Sequence, residues 1–188
     1  MKQRQIPWVV AALLAPMLLC QACDLNRPKP DDKFYCKVDG KHWRPNSDGD
    51  FKAITLTADL LENNRFLGIV ASNYKIDETI LVSIVDTTGF SEQSAGKVYE
   101  LSLNYYFPTN SPSAYFSKTT GKNSIKNIYY YTDRTYSGTF RILSLEKDSR
   151  IPTSIMMRAE FEFTAVNPSG ETVKITNGQF NGEVRILQ

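Results

Sequence analysis

The stretch Ala159-Glu160-Phe161-Glu162-Phe163-Thr164-Ala165, the turn Asn167-Pro168-Ser169-Gly170 and the returning run from Val173 to Ile186 decide the fold class. Ala159, Phe161, Phe163 and Ala165 share one parity, and Glu160, Glu162 and Thr164 the other. Side chains alternate across a strand, so this pattern is a strand with one face buried and one in water. The four-residue turn joins it to a second strand as a hairpin. On the return, Val173 and Ile175 keep one parity, Asn177-Gly178 shifts it, and Phe180, Val184 and Ile186 keep the other.

Similar signals run outward from this hairpin. Phe140 and Ile142 share a parity that Leu143 and Leu145 shift by one, and a β-bulge there would restore the apolar face. Ala114–Ser117 and Ile128–Thr132 read as short strands flanking a loop from Lys118 to Asn127. Tyr99, Leu101, Leu103, Tyr105 and Phe107 alternate against Glu100, Ser102 and Asn104, which is the clearest strand of the amino-terminal half. A long connection from Gly89 to Gly96 precedes it. Phe66–Ser72 and Thr79–Val85 are nearly continuous apolar and β-branched runs, as in strands covered on both faces or central in a sandwich. Phe51–Ala58 reads as a strand with Ile54, Leu56 and Ala58 on one side, and Asp59–Asn64 as the one candidate for a helical turn. Phe34, Cys36 and Val38 alternate before Asp39-Gly40 turns the chain toward His42 and Trp43. About ten short strands with frequent turns and no 3.6-residue period predict an all-β domain, an antiparallel β-sandwich or partly open barrel, over 33–188.

The first 32 residues differ in kind. Lys2 and Arg4 precede a largely apolar run from Ile6 to Leu19, and Cys20-Gln21-Ala22-Cys23 follows. These are the basic, apolar and cleavage regions of a secretory signal peptide, residues 1–22. The run is short for a membrane span, which needs roughly 20 apolar residues, and Pro7 and Pro16 interrupt it. Its end resembles the lipobox of bacterial lipoproteins, in which a cysteine behind a small residue becomes the acylated first residue of the mature chain. Cys23 follows Ala22 and fits; Cys20, the alternative, follows Leu19. Anchoring by two or more acyl chains is effectively permanent, because each buried methylene contributes about 0.8 kcal/mol. Residues 23–32, with Pro28, Pro30 and few apolar groups, read as lipid anchor and tether.

Charge and cysteine content narrow the functions. Lys2 and Arg4 account for the whole net charge of +2, so the remainder is balanced and lacks the basic face that nucleic acid requires. With Cys20 removed and Cys23 acylated, Cys36 has no disulfide partner, and the alternation around it favours a buried small hydrophobe.

Phe34-Tyr35-Cys36-Lys37-Val38-Asp39-Gly40-Lys41-His42-Trp43 is similar to the F-x-A-x-V-D-G-x-x-W opening of a family of small Bacteroidetes lipoproteins with a domain of unknown function. Gly96–Leu101 matches its G-x-Y-x-L element, and Arg158–Phe180 its closing hairpin, G-T-F-x-F-x-A, a turn, then I-T-N-G-x-F. Ala159-Glu160 stands where the family has Gly-Thr, and Cys36 where it has a smaller residue. The resemblance implies a β-rich fold and a home at the outer membrane, and it brings no activity with it.

Catalytic chemistry finds little footing. His42, the one histidine, and Cys36 could form a thiol–imidazole pair, but a turn histidine beside a core cysteine is the simpler reading. Metal sites need more ligands than the chain groups together; Asn46, Asp48 and Asp50 make only half of a calcium loop, and Thr57 stands where the bidentate Glu belongs. Glu160 and Glu162 share a strand face at roughly 6.5–7 Å. That is the carboxyl spacing of inverting glycosidases, although glutamates are ordinary on a solvated face. No catalytic residue, metal or cofactor is assigned, and the chain reads as a non-enzyme.

Eight of the ten tyrosines lie between Tyr99 and Tyr136, and Tyr129-Tyr130-Tyr131 cannot all face inward. Tyr106, Tyr115, Tyr129, Tyr130, Tyr131 and Tyr136 form the candidate binding surface, since tyrosine offers an apolar ring and a polar tip. The expected protein is a lipid-anchored envelope lipoprotein, a non-catalytic binding or structural protein whose partner is an envelope protein. The alternative is a glycan-binding accessory lipoprotein using the tyrosines, with glycoside hydrolysis a remote third.

Overall fold

A computed structural model describes residues 33–46, 56–61, 63, 65–102, 111–120, 126–147 and 153–187. These residues form eleven strands: β1 (Phe34–Val38), β2 (Lys41–Trp43), β3 (Leu56–Leu61), β4 (Phe66–Asn73), β5 (Glu78–Val85), β6 (Val98–Glu100), β7 (Ser113–Thr120), β8 (Lys126–Tyr131), β9 (Gly138–Lys147), β10 (Ser154–Val166) and β11 (Thr172–Ile186). Among the described residues the one helical piece is a 3-10 turn at Glu92–Ser94, and no helix is long and apolar enough to cross a membrane. The all-β expectation is therefore met.

The strands run in the order β2-β1-β11-β3-β4-β5-β7-β8-β10-β9-β6, and β10 also pairs with β11. That last pairing bends the sheet back on itself. β6, β9, β10, β11, β1 and β2 form one layer, and β3, β4, β5, β7 and β8 the other. The layers join at two corners. Asp59 and Leu60 of β3 lie parallel to Arg185 and Ile186 of β11, and Tyr131 of β8 bridges Val166 of β10. The second seam is a single bridge, so the barrel is partly open there.

The hairpin of β10 and β11 is the spine. Its burial alternates along β10 from Ile155 to Val166, and the parity of β11 shifts at Asn177, as the sequence predicts. Asn177 has φ 53°, a left-handed conformation that asparagine tolerates and that a bulge of this kind requires. Phe161 pairs with Gly178 but Phe163 with Ile175, so the extra residue is absorbed between them. The expected bulge in β9 is also present: Arg158 pairs with Ser144, Ala159 with Ile142, and Leu143 is pushed outward while Leu145 stays buried. Asn167 ties the connecting turn, its Oδ1 accepting from the backbone N–H of Ser169 and Glu171.

The core lies between the layers. Phe34, Trp43, Leu60, Ile80, Phe140 and Phe180 are among its buried side chains, each contributing about 1.5–3 kcal/mol. β4 and β5 are the near-continuous apolar runs, and β5 is buried from Ile80 to Ile84 on both faces.

Two expectations are corrected. Asp59, Leu60 and Leu61 continue β3, because pairing with Gly68, Leu67 and Phe66 outweighs a local helical preference; the turn comes at Asn63, φ 58°. Lys118–Thr120 and Lys126–Asn127 belong to β7 and β8, which pair beyond the expected strand ends. Of the strand expected from Tyr99, β6 covers Val98–Glu100, Leu101 also exchanges hydrogen bonds with Gly138, and residues 103–110, Tyr106 among them, lie outside the described residues. Cys20, Cys23, Asp48 and Asp50 lie outside them as well.

Candidate functional site

β7 and β8 carry the tyrosines, and alternation decides which of them meet. Ala114, Phe116 and Tyr130 point into the core, so Tyr115, Ser117 and Thr119 on β7 and Asn127, Tyr129 and Tyr131 on β8 point outward. Tyr115 stands directly opposite Tyr131, and Ser117 opposite Tyr129. The three outward rings gather. Tyr129 and Tyr131 are nearly parallel, 12° apart in plane with centroids at 6.1 Å. Tyr115 meets both edge-on, at 6.2 and 6.1 Å, the arrangement that ring quadrupoles favour. Tyr129 is 39% exposed.

A polar extension leaves this cluster along the same face. Asn127 Nδ2 donates to the Tyr129 hydroxyl at 3.3 Å, and Thr119 Oγ1 donates to Asn127 Oδ1 at 2.8 Å. Neither Thr119 nor Asn127 stands out in the sequence. The signal that finds them is the outward parity set by buried Ala114 and Phe116.

Tyr130 does not belong to this surface. It is 2% exposed, packs against Phe116 at 5.9 Å and donates from its hydroxyl to Glu171 Oε2 at 3.3 Å. A run of three tyrosines has no alternation of its own, so the register with β7 decides. Tyr136 lies in the loop after β8, its N–H donating to Asp133 Oδ1 at 2.6 Å.

A second polar cluster, unforeseen in the sequence, sits at one end of the barrel on the inward parity. Trp43 Nε1 donates to Glu78 Oε2 at 2.8 Å, and Glu78 lies opposite Lys118 in the β5–β7 pair. Lys118 Nζ stands over the Tyr130 ring, 5.2 Å from its centroid. Burial pushes the Glu78 carboxyl above its ordinary pKa, with the Trp43 hydrogen bond and the Lys118 charge opposing. The Tyr130 hydroxyl holds the Lys118 ammonium more firmly protonated, against burial. Burial, then the Glu78 charge, pushes the Cys36 thiol far above the usual range, so Cys36 is an inert core group.

The other candidates separate. Cys36 pairs with Trp43 and points inward, whereas His42 pairs with Lys37, is exposed, and is hydrogen-bonded through Nδ1 to the Tyr35 hydroxyl. The thiol–imidazole pair does not form. Glu160 and Glu162 are exposed on the outer face of β10, beside Arg141 and Thr139 of β9. Glu162 borders a shallow depression of about 110 Å³. Among the described residues no three His, Cys, Asp or Glu side chains group as a metal site.

Asp86 is structural. It is 6% exposed, and its two oxygens accept from Lys97 Nζ, the Tyr99 hydroxyl, and the N–H and hydroxyl of Thr88. Burial alone would raise its pKa; the hydrogen bonds from Lys97, Thr88 and Tyr99 outweigh it and hold the carboxyl well below the ordinary range. The cluster fastens the long connection before β6.

No protein-family model, curated protein or solved structure matches the chain.

Proposed function

We propose that the chain is a lipid-anchored envelope protein that binds a partner without transforming it, using the outer face of β7 and β8. The observation that carries this reading is the gathering of Tyr115, Tyr129 and Tyr131 on one outward sheet face, two of them with nearly parallel rings. Tyrosine rings supply contact area at low cost in side-chain entropy, and their hydroxyls recover polar contacts. Glu160 and Glu162 stand exposed on a strand face, where glutamates are ordinary, and this favours binding over hydrolysis. The anchor is read from Lys2, Arg4, the apolar run Ile6–Leu19 and Ala22-Cys23, with Cys23 as the acylated residue and the outer membrane as its destination.

Two measurements test the two halves. In cells labelled with a fatty acid, the chain should incorporate label and partition into detergent, and Cys23→Ala should abolish both. Label retained by Cys23→Ala would move the anchor to Cys20. Binding of the full chain to envelope fractions should fall in Tyr129→Ala with the fold intact; unchanged binding would remove this face from the reading.

A further inference from the structure

The two outer faces of the barrel differ in charge. The face of β9, β10 and β11 carries Arg141, Arg158, Glu160, Glu162, Lys174 and Glu183, all exposed, as a face turned to water normally does. In the other layer Asp59 of β3 faces outward and pairs with Arg185, whereas the outward positions of β4, β5, β7 and β8 carry no Asp, Glu, Lys or Arg. Lys118 and Glu78, the charged residues of β5 and β7, are both on the inward parity. On β4 and β5 these positions are largely buried, Phe66, Ser72, Leu81 and Ser83 among them, so the open, charge-free part of the face is the outer side of β7 and β8 around Tyr129.

The lining of that face shows what it fits. One row across the strands consists of hydroxyls, Ser72, Thr79, Ser117 and Tyr129, the first two hydrogen-bonded at 3.0 Å. Thr119 and Asn127 extend it, with the Asn127 amide already oriented by Thr119 and Tyr129. The neighbouring row is apolar and aromatic, ending in Tyr115 and Tyr131. Toward β5 the face is closed, with Ser83 and Ser113 fully buried; toward Tyr129 it is open.

Protein interfaces centre on aromatic, Met and Arg anchors ringed by polar groups at the rim. Here hydroxyls and an amide lie beside the rings instead. We propose that the ligand of this face is an uncharged glycan, seated at Tyr129 with its C–H faces against the aromatic rings and its hydroxyls on Thr119, Asn127 and Ser117. Sugar C–H groups carry slight positive charge and suit the negative ring face, and vicinal hydroxyls suit an amide that both donates and accepts. With no charge on either side, the contact owes nothing to counterion release and does not weaken with salt.

This inference rests on the proposed binding face but has its own test. The full chain is assayed by affinity electrophoresis against neutral polysaccharides (a mannan, a xylan and a β-glucan) and against an anionic pectin. Retardation is expected by at least one neutral polymer, equally at low and high ionic strength, with none by pectin. Tyr129→Ala and Asn127→Leu should each weaken it roughly tenfold or more, as loss of a central aromatic or of a buried polar partner does. Thermal stability of both variants should stay close to that of the parent chain. No retardation by any neutral polymer, or retardation by pectin that salt abolishes, overturns the glycan assignment. If Tyr129→Ala nonetheless loses binding to envelope fractions, the face remains a binding face for another partner. Retardation that persists in both variants would place glycan binding elsewhere and overturn the glycan assignment of this face.

Discussion

Phe161 lies over Gly178. The two are partners across β10 and β11, and a methyl group on Gly178 would stand 2.5 Å from two carbons of the Phe161 ring. The absent side chain leaves room for the ring to pass over β11 and meet Phe34 of β1, 5.1 Å away between centroids. Three adjacent strands are thereby joined through one glycine.

Gly178→Ala is expected to destabilise the fold by about 1–3 kcal/mol, the usual cost of overpacking a closed core. Shrinking the ring with Phe161→Leu should not rescue it, because the added methyl also stands 2.5 Å from the Phe161 carbonyl oxygen. Urea unfolding midpoints of the single and double variants decide this. An unchanged midpoint for Gly178→Ala would mean that the strands yield freely at this point.

Tyr129 and Tyr130 are sequence neighbours with opposite fates, and alanine should separate them. Tyr130→Ala removes a core ring and the hydrogen bond to Glu171, and should cost about 3–5 kcal/mol. Tyr129→Ala should cost no more than about 0.5 kcal/mol, as exposed truncations do. Equal losses in denaturant unfolding would contradict the register of β8.

Asp86 should make the fold acid-sensitive. Its folded pKa lies below the unfolded value of about 3.9, so its contribution is complete at neutral pH and drains away as pH falls below about 4. Asp86→Asn should therefore lose on the order of 2 kcal/mol at neutral pH, with the gap narrowing in acid. A gap that does not change with pH would mean that Asp86 acts through shape alone.

Glu78 has the opposite sign. Its folded pKa is raised, so it imposes no penalty below the unfolded value of about 4.3 and an increasing one as pH rises through the folded value. Glu78→Gln keeps an acceptor for Trp43 Nε1 and removes the charge, so stability at neutral pH should be unchanged or raised. Denaturation followed at several pH values tests this. A clear loss at neutral pH would show that attraction to Lys118 exceeds the cost of burial.

Local patterns made the closing hairpin legible in detail. Alternation in β10, the parity shift at Asn177 and the bulge at Leu143 can each be read within a dozen residues, because burial on one face imposes them directly. The same reading fails where partners are remote or alternation is missing. Ala-Asp-Leu-Leu at 58–61 suits a helix by composition and becomes a strand through pairing with β4. Tyr130 turns inward only because Phe116 faces it across the sheet. Trp43 and Glu78 share a hydrogen bond across 35 residues of chain, and nothing near either one announces the other.

The parallel seam between β3 and β11 has a consequence for how the molecule is made. Arg185 meets Asp59 across 126 residues, and β1, at the start of the domain, takes β11 as a neighbour. Until the last strand has been synthesised, β1 and β3 each keep an unpaired edge and the barrel cannot close. Contacts this distant in sequence also form slowly, since a long loop must be closed before they contribute. Until then those edges are open to pairing with any other strand, so synthesis of β11 is the step that removes them.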